Sequence, residues 1–360
     1  MPEDLPLWIN LTLLAVAAAV IWPMGARLAR LADVAGEKTG LGSGLAGVLL
    51  LGGLTSLPEI AVSVTSTVGG EPLLSVNDVL GSASINVLIL AVADARYGGG
   101  PLTARPGRPD VLLQAALSIL LLMLVPAAVL AGDRLVLGMG LWSWALLVAY
   151  GCAVRILAKA RDLRSWQPTT AASGAASKSD GKVSTAAQRR LGEKEEADHA
   201  RSIGALSWRI AGTAGAILVG GYVLALSAEA VAHQTGLGAS FVGAVLLGAC
   251  TSLPEVSTVL AAVRMGRYAL ALGDVFGTNL FNVSILVLVD ALHPGDPILQ
   301  QAGPFAAFSA LLAAAITAVF LIGLVERRDR TVGRMGLDSI VACLLYAAGL
   351  VVLYGLRPAG

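Results

Sequence analysis

TGLGSGLAGVLLLGGLTSLPE, residues 39–59, and TGLGASFVGAVLLGACTSLPE, residues 235–255, are one segment written twice. Both end in TSLPE, which sets a proline, two hydroxyls and a carboxylate inside a long apolar run. Residue 59 pairs with residue 255, an offset of 196 positions. At that offset, without a gap, NDVLGSASINVLILAVAD (77–94) falls on GDVFGTNLFNVSILVLVD (273–290). Farther on, Asp133-Arg134 meets Asp329-Arg330 and MGLWS (139–143) meets MGLDS (335–339). The chain is therefore two copies of one unit, the reading that internal self-similarity at a fixed offset demands.

Composition sets the solvent. Of the 360 residues 56% are hydrophobic and 14% charged, and the mean hydropathy is +0.76, so the chain reads as a membrane protein rather than a soluble domain. A span needs about 20 predominantly apolar residues. The apolar runs give five spans in the first unit, at 7–33, 39–69, 72–94, 110–131 and 134–157. The second unit has five at 204–232, 237–264, 268–291, 303–325 and 334–355. The fold class is all-α polytopic, with about ten transmembrane helices. The organisation is a first repeat at 1–158, a polar linker at 159–204 and a second repeat at 205–360.

An odd number of spans per unit requires the second copy to enter the membrane inverted. Charge bias gives the same answer, since cytoplasmic loops collect Lys and Arg. Arg27, Arg30, Lys38, Arg96, Arg105, Arg108, the basic residues from Arg155 to Arg209, Arg264, Arg267, Arg327, Arg328, Arg330 and Arg334 all fall on one side, leaving Arg134 and Arg357 on the other. The expectation is a multi-pass protein of the cell (plasma or inner) membrane, with both termini outside and the linker cytoplasmic. The acidic start, MPEDLP, continues into a run too long for a signal peptide and reads as the first span. The net charge of +1 points to no nucleic-acid partner. Three cysteines in apolar runs show neither metal spacing nor a disulfide framework. His199, His233 and His293 read as linker or loop residues.

The expensive residues carry the functional argument. A charge at the bilayer centre costs about 2.5–3.5 kcal/mol on insertion scales, and no Lys or Arg falls mid-span to pair with Glu59 or Glu255. Their partner must be mobile: a metal ion or a proton. Thr55, Ser56 and Glu59 share one helical face at spacings of four and three. Pro58 removes one helical hydrogen bond and crowds the carbonyl of Leu54. Thr251, Ser252, Pro254 and Glu255 repeat the set. Carboxylate, hydroxyl and freed carbonyl make a hard-oxygen group suited to Ca2+ and similar cations. The next span adds Asp78, Ser82 and Asn86, matched by Asp274, Thr278 and Asn282, with Gly81 and Gly277 expected to let helices approach closely. Two readings stay open for the hydroxyls and amides, as ion ligands or as interhelical hydrogen bonds, and for Asp78 and Asp274, as ion or proton carriers or as bystanders. Asp94 and Asp290, at span ends, read as interfacial or capping residues.

These motifs, GGLTSLPE with GSASIN and GACTSLPE with GTNLFN, resemble the two alpha-repeats (about 39–94 and 235–290) of the sodium/calcium exchanger family, within the cation/Ca2+ antiporter superfamily, in its prokaryotic form without regulatory domains. The resemblance covers the whole membrane part. It implies that Glu59 and Glu255 are the central cation ligands, that Thr55 and Thr251 add backbone and side-chain oxygens, and that Ser56, Ser82, Asn86, Ser252, Thr278 and Asn282 complete the sites. It implies a secondary antiporter, not an enzyme, exchanging Ca2+ for Na+ by alternating access, with inorganic cations and membrane lipid as partners and no cofactor. Two departures stand out. Many relatives carry aspartate where this chain has Asn282, and the first copy has Ala83-Ser84 where Asn and an apolar residue are usual. With fewer carboxylates, a Ca2+/H+, Na+/H+ or other cation exchanger of the same fold becomes the alternative. From another class, a cation channel would also use midplane carboxylates, but an inverted repeat in one chain with broken helices favours a carrier.

Overall fold

The computed structural model describes residues 5–39, 53, 56–97, 101–104, 109–162, 202–264, 266, 268–327, 331–332 and 335–357. The first half contains α1 (Leu7–Thr39), α2 (Leu57–Val68), α3 (Pro72–Tyr97), α4 (Pro109–Ala131), a hairpin of β1 (Leu135–Val136) and β2 (Met139–Gly140), and α5 (Leu141–Asp162). The second half repeats the order with α6 (Ile203–Thr235), α7 (Ala239–Thr251), α8 (Leu253–Arg264), α9 (Tyr268–Leu292), the short α10 (Ile298–Gln301) and α11 (Gly303–Glu326). A second hairpin, β3 (Thr331–Val332) and β4 (Met335–Gly336), then leads into α12 (Leu337–Leu356).

Among the described residues, eight helices are long and apolar enough to cross a bilayer, and the bent pair α7–α8 makes a ninth span. The remaining expected span, 39–69, is described mainly through its second part, α2. Two boundaries need correction. Spans expected to begin at 134 and 334 begin at Leu141 and Leu337, because each is preceded by a tight hairpin pairing Leu135 with Gly140 or Thr331 with Gly336. In the first hairpin Leu137 and Gly138 both take positive φ, 50° and 85°, the two-residue turn that matches strand twist. Helix α5 also runs to Asp162, past the expected start of the linker, while 163–201 lie outside the described residues. His233 lies in the last turn of α6 rather than in a loop.

Burial separates centre from rim. The most apolar window of α3 is 83% buried and that of α9 61%, whereas α1, α5 and α12 bury only 28%, 28% and 22%. Their exposed Trp8, Val148, Leu344 and Val351 suit a lipid surface, where an apolar side chain costs nothing. Helices α3 and α9 thus form the core, flanked by α4 and α11, while α1 lies along α6 over α2 and α8.

The halves contact one another reciprocally. Helix α4 packs on α9 and its counterpart α11 packs on α3; α2 meets α6 while α8 meets α1; α5 meets α9 while α12 meets α3. Such exchange is how a self-complementary twofold interface is built. Asp94 and Asp290 show it at atomic level. Asp94 accepts from Leu102 N (3.0 Å) in its own half and from Gly336 N (2.6 Å) and Ser339 Oγ (2.8 Å) in the other. Asp290 accepts from Ile298 N (2.7 Å) and, across the halves, from Gly140 N (2.7 Å). Both are buried, so they cap the following turn, as expected, and also clasp the opposite hairpin.

Candidate cation site

Each TSLPE segment breaks its span at the serine. Ser56 has φ −84° and ψ 17°, and Ser252 has φ −79° and ψ 2°, so both leave helical geometry at the same point. The proline two residues on opens the next helix, where its missing N–H is no loss. Between α7 and α8 the axis turns by 46°. The new helices begin with Glu59 and Glu255 in their first turns, where backbone N–H groups and the helix dipole favour negative charge.

Close backbone approach brings the second polar stripe to this break. Helix α7 contains one π-helical turn, Gly243–Leu247, and lies directly on α3. A Cβ on Gly81 would strike the carbonyl group of Ala244, and one on Gly248 would lie 2.9 Å from Ser82 N. Gly81 therefore acts as expected. Gly277 has open space beside it among the described residues. With α7 so close, the Thr251 hydroxyl sits 3.2 Å from Asp78 Oδ1 and 3.1 Å from Ser82 Oγ, and also reaches Leu247 O at 3.1 Å.

The carboxylates gather at the centre. Glu59 is fully buried, lies close enough to Glu255 and Asp78 to feel their charge, and faces Asn282. Asn282 forms no well-shaped hydrogen bond to it, for both its amide atoms are unpartnered. Glu255, 2% exposed, neighbours Asp274 in the same way. Both oxygens of Glu59, both oxygens of Glu255, Asp78 Oδ2, Asn86 Oδ1, Ser56 Oγ and Ser252 Oγ are buried without a hydrogen-bond partner. Orphaned buried polar atoms are rare in folded proteins, and among those found here are these oxygens of the two TSLPE segments and of the α3 stripe. Among the described residues no Lys or Arg is buried. A donor set of this chemistry fits a hard cation.

The two copies are not equivalent. Asp78 is fully buried and bound to Thr251, whereas Asp274 is half-buried and accepts from Thr258 Oγ1 at 2.5 Å. Asn86 donates to Asn279 Oδ1 (3.1 Å), and Asn279 donates in turn to Ala83 O (2.8 Å), the residue matching it in the first copy. Asn86 is thus partly used as an interhelical tie, although its Oδ1 remains free. Thr278 is buried without a distinguishing contact. Thr55 lies outside the described residues. Asn279 and Thr258 were not expected at the site. Asn279 occupies the position of the usual Asn in GTNLFN, a signal masked by Ala83 in the other copy; Thr258 matches the apolar Val62 and gave none.

Fold and site together define a polytopic helical membrane protein that holds an oxygen-lined, carboxylate-centred site between two like halves. The sodium/calcium exchanger protein family matches residues 9–159 and 206–355, most of both halves, and the chain belongs to that family. The protein is therefore a transporter, a cation/Ca2+ exchanger, and not an enzyme; the channel alternative gains no support. The chain is 27% identical over 244 residues to the inner membrane protein YrbG of Escherichia coli (strain K12), covering 67% of each chain. In fold it is similar to the H+/Ca2+ exchanger CAX, with TM-score 0.57 and 14% identity over 96% of this chain and 88% of that one. It is equally similar to the sodium-calcium exchanger NCX_Mj, with TM-score 0.57 and 15% identity over 97% and 99%.

Proposed function

We propose that this exchanger moves Ca2+ against Na+ by alternating access, with Glu59 and Glu255 as the central ligands for both ions. The observation that carries this reading is the pair of buried carboxylates, 0% and 2% exposed, whose four oxygens have no protein partner. Ionised and empty, such a pair would suffer the full cost of buried charge, so it is stable only with an ion or protons aboard. That is the coupling an antiporter needs, because the site must be reoccupied before it can turn over. Ser56, Ser252, Ser82, Thr251, Thr278 and Asn282 supply neutral oxygens around it, with Thr55 by repeat symmetry. Asp78 and Asp274 add charge at its flanks, and Asn86 contributes through its free Oδ1.

Asp78 supports a second reading, with H+ as counter-ion. Its Oδ2 is buried and unpartnered beside the Thr251–Ser82 hydroxyls, so it can hold a proton or share an ion. The two readings separate in one experiment. Purified protein in liposomes takes up radiolabelled Ca2+ under an outward Na+, H+ or K+ gradient, each imposed alone. Uptake driven by Na+ alone supports the first reading, uptake driven by H+ alone the second, and uptake under neither removes both.

The charge bias and the odd number of spans support inverted halves in the cell membrane, with both termini outside and the linker, about 159–204, in the cytoplasm. The reciprocal packing of the halves is compatible with that arrangement.

A further inference from the structure

Away from the central carboxylates, Glu71, Glu229 and His233 each bring one ligand atom to within 4.8 Å of the others. Glu229 and His233 are one turn apart in the last stretch of α6 and so project to the same side. That helix ends at Gly236 in the left-handed conformation, a defined stop. Glu71 comes from the turn between α2 and α3, where its backbone is tied on both sides. Its N–H donates to Ser66 O at 2.8 Å, and its carbonyl accepts from Leu74 N at 3.1 Å. The three side chains thus stand on rigid backbone from two parts of the chain, which is what a built ligand site requires.

Spacing and donor chemistry point to one class of ion. His233 Nε2 lies 3.8 Å from Glu71 Oε1. Two ligands on a tetrahedral ion, with bonds of about 2.0–2.1 Å, stand roughly 3.4 Å apart, so small side-chain adjustments close the set around a metal. One imidazole nitrogen with two carboxylates suits Zn2+ and its first-row neighbours, whereas Ca2+ calls for six to eight oxygens. His233 is 56% exposed and Glu71 30%, so an ion can arrive from water and keep water in its fourth position. At the positions that match them in the opposite copy the sequence has Asp33 for Glu229, Glu37 for His233 and, in place of Glu71, Arg267. A cation there replaces a ligand, so the sequence does not repeat the set.

We propose that Glu71, Glu229 and His233 form a binding site for a transition-metal dication such as Zn2+, separate from the transport site. A metal held there staples α6 to the α2–α3 turn. Helix α2 carries Glu59 in its first turn, so the staple restrains a helix that bears a transport carboxylate. Alternating access needs one bundle to move against another, and an occupied site therefore slows exchange from a distance. The competing account is an ion pair between His233 and Glu71 that holds no metal.

The test titrates the full chain in detergent, free of Ca2+, with Zn2+ by calorimetry. The proteins are the parent, His233→Ala, Glu229→Gln and the pair Glu59→Gln/Glu255→Gln, each first shown to be monodisperse. We expect one Zn2+ per chain in the parent and in the Glu59/Glu255 pair, with affinity at least about tenfold weaker in the other two variants. In the same samples Co2+ should give the visible absorption of a four-coordinate site in the parent and not in His233→Ala. In liposomes, Zn2+ should inhibit Ca2+ uptake by the parent and spare His233→Ala, whose uptake without Zn2+ matches the parent. Equal binding by parent and His233→Ala overturns the site, and so does the absence of stoichiometric binding. Binding lost only in the Glu59/Glu255 pair assigns the metal to the transport site instead, and binding without inhibition overturns the staple.

Discussion

Asp94→Ala tests whether the two halves are clasped as the structure shows. The carboxylate accepts from two backbone N–H groups, Leu102 at 3.0 Å and Gly336 at 2.6 Å, and from the Ser339 hydroxyl. Alanine leaves both amides buried without an acceptor, while the hydroxyl can rotate to another. An orphaned buried donor costs about 1–3 kcal/mol, so the variant should lose about 2–6 kcal/mol. Asparagine keeps one accepting oxygen and turns an N–H donor toward the other position, so Asp94→Asn should lose about half as much. Extending the size dependence of thermal unfolding to a chain this long gives roughly 1–2 °C per kcal/mol, a fall of several degrees for alanine. Asp290 holds two amides in the same manner, and Asp290→Ala should fall by a similar amount. The assay is the temperature at which purified protein in detergent loses monodispersity, read together with near-ultraviolet circular dichroism. A shift in Asp94→Ala no larger than a surface substitution gives, within about 0.5 kcal/mol, would refute the clasp. A large effect at only one of the two aspartates would refute the reciprocity.

Glu59→Gln and Glu255→Gln should each leave a folded protein and abolish Ca2+ uptake in liposomes, because the amide keeps the shape and removes the charge that offsets a desolvated cation; folded variants with near-parent uptake would make the glutamates packing residues. Thr251→Val keeps the volume but removes the hydroxyl shared with Asp78 and Ser82; it should raise the Ca2+ concentration for half-maximal uptake several-fold with the folded yield unchanged. Gly81→Val drives a side chain into the Ala244 carbonyl and should sharply reduce the yield of monodisperse protein, whereas recovery of a normal protein would show that α3 and α7 are not in backbone contact. A single cysteine at Ala175 should react with an impermeant label only from the cytoplasm, and one at Glu3 or Ala359 only from outside; any other pattern contradicts the inverted arrangement.

Much of this protein was legible in its sequence because the relevant forces are local or depend only on hydropathy. An apolar run long enough to cross a bilayer must be a helix, whatever its neighbours, since backbone groups in lipid have no other partner. Proline after Ser-Leu dictates a break, and the structure places it at Ser56 and Ser252 alike. A glutamate with no fixed cation in reach announces itself as a functional residue by its cost alone. What the repeat could not reveal is which residues meet. Asp78 and Asp274 occupy matching positions, yet one is buried against Thr251 of the other half and the other half-exposed against Thr258 of its own. Asp94 and Asp290 read as interfacial or capping residues, but the donors that reach them from the opposite hairpins are set by packing. Glu71 and His233 lie far apart in sequence, and only the packing of α6 beside the α2–α3 turn makes them neighbours. Hydropathy and backbone sterics act on each segment alone. The partners of a buried carboxylate are set by how two helices pack, through approaches as close as Gly81 on Ala244, and that is decided only in the tertiary structure.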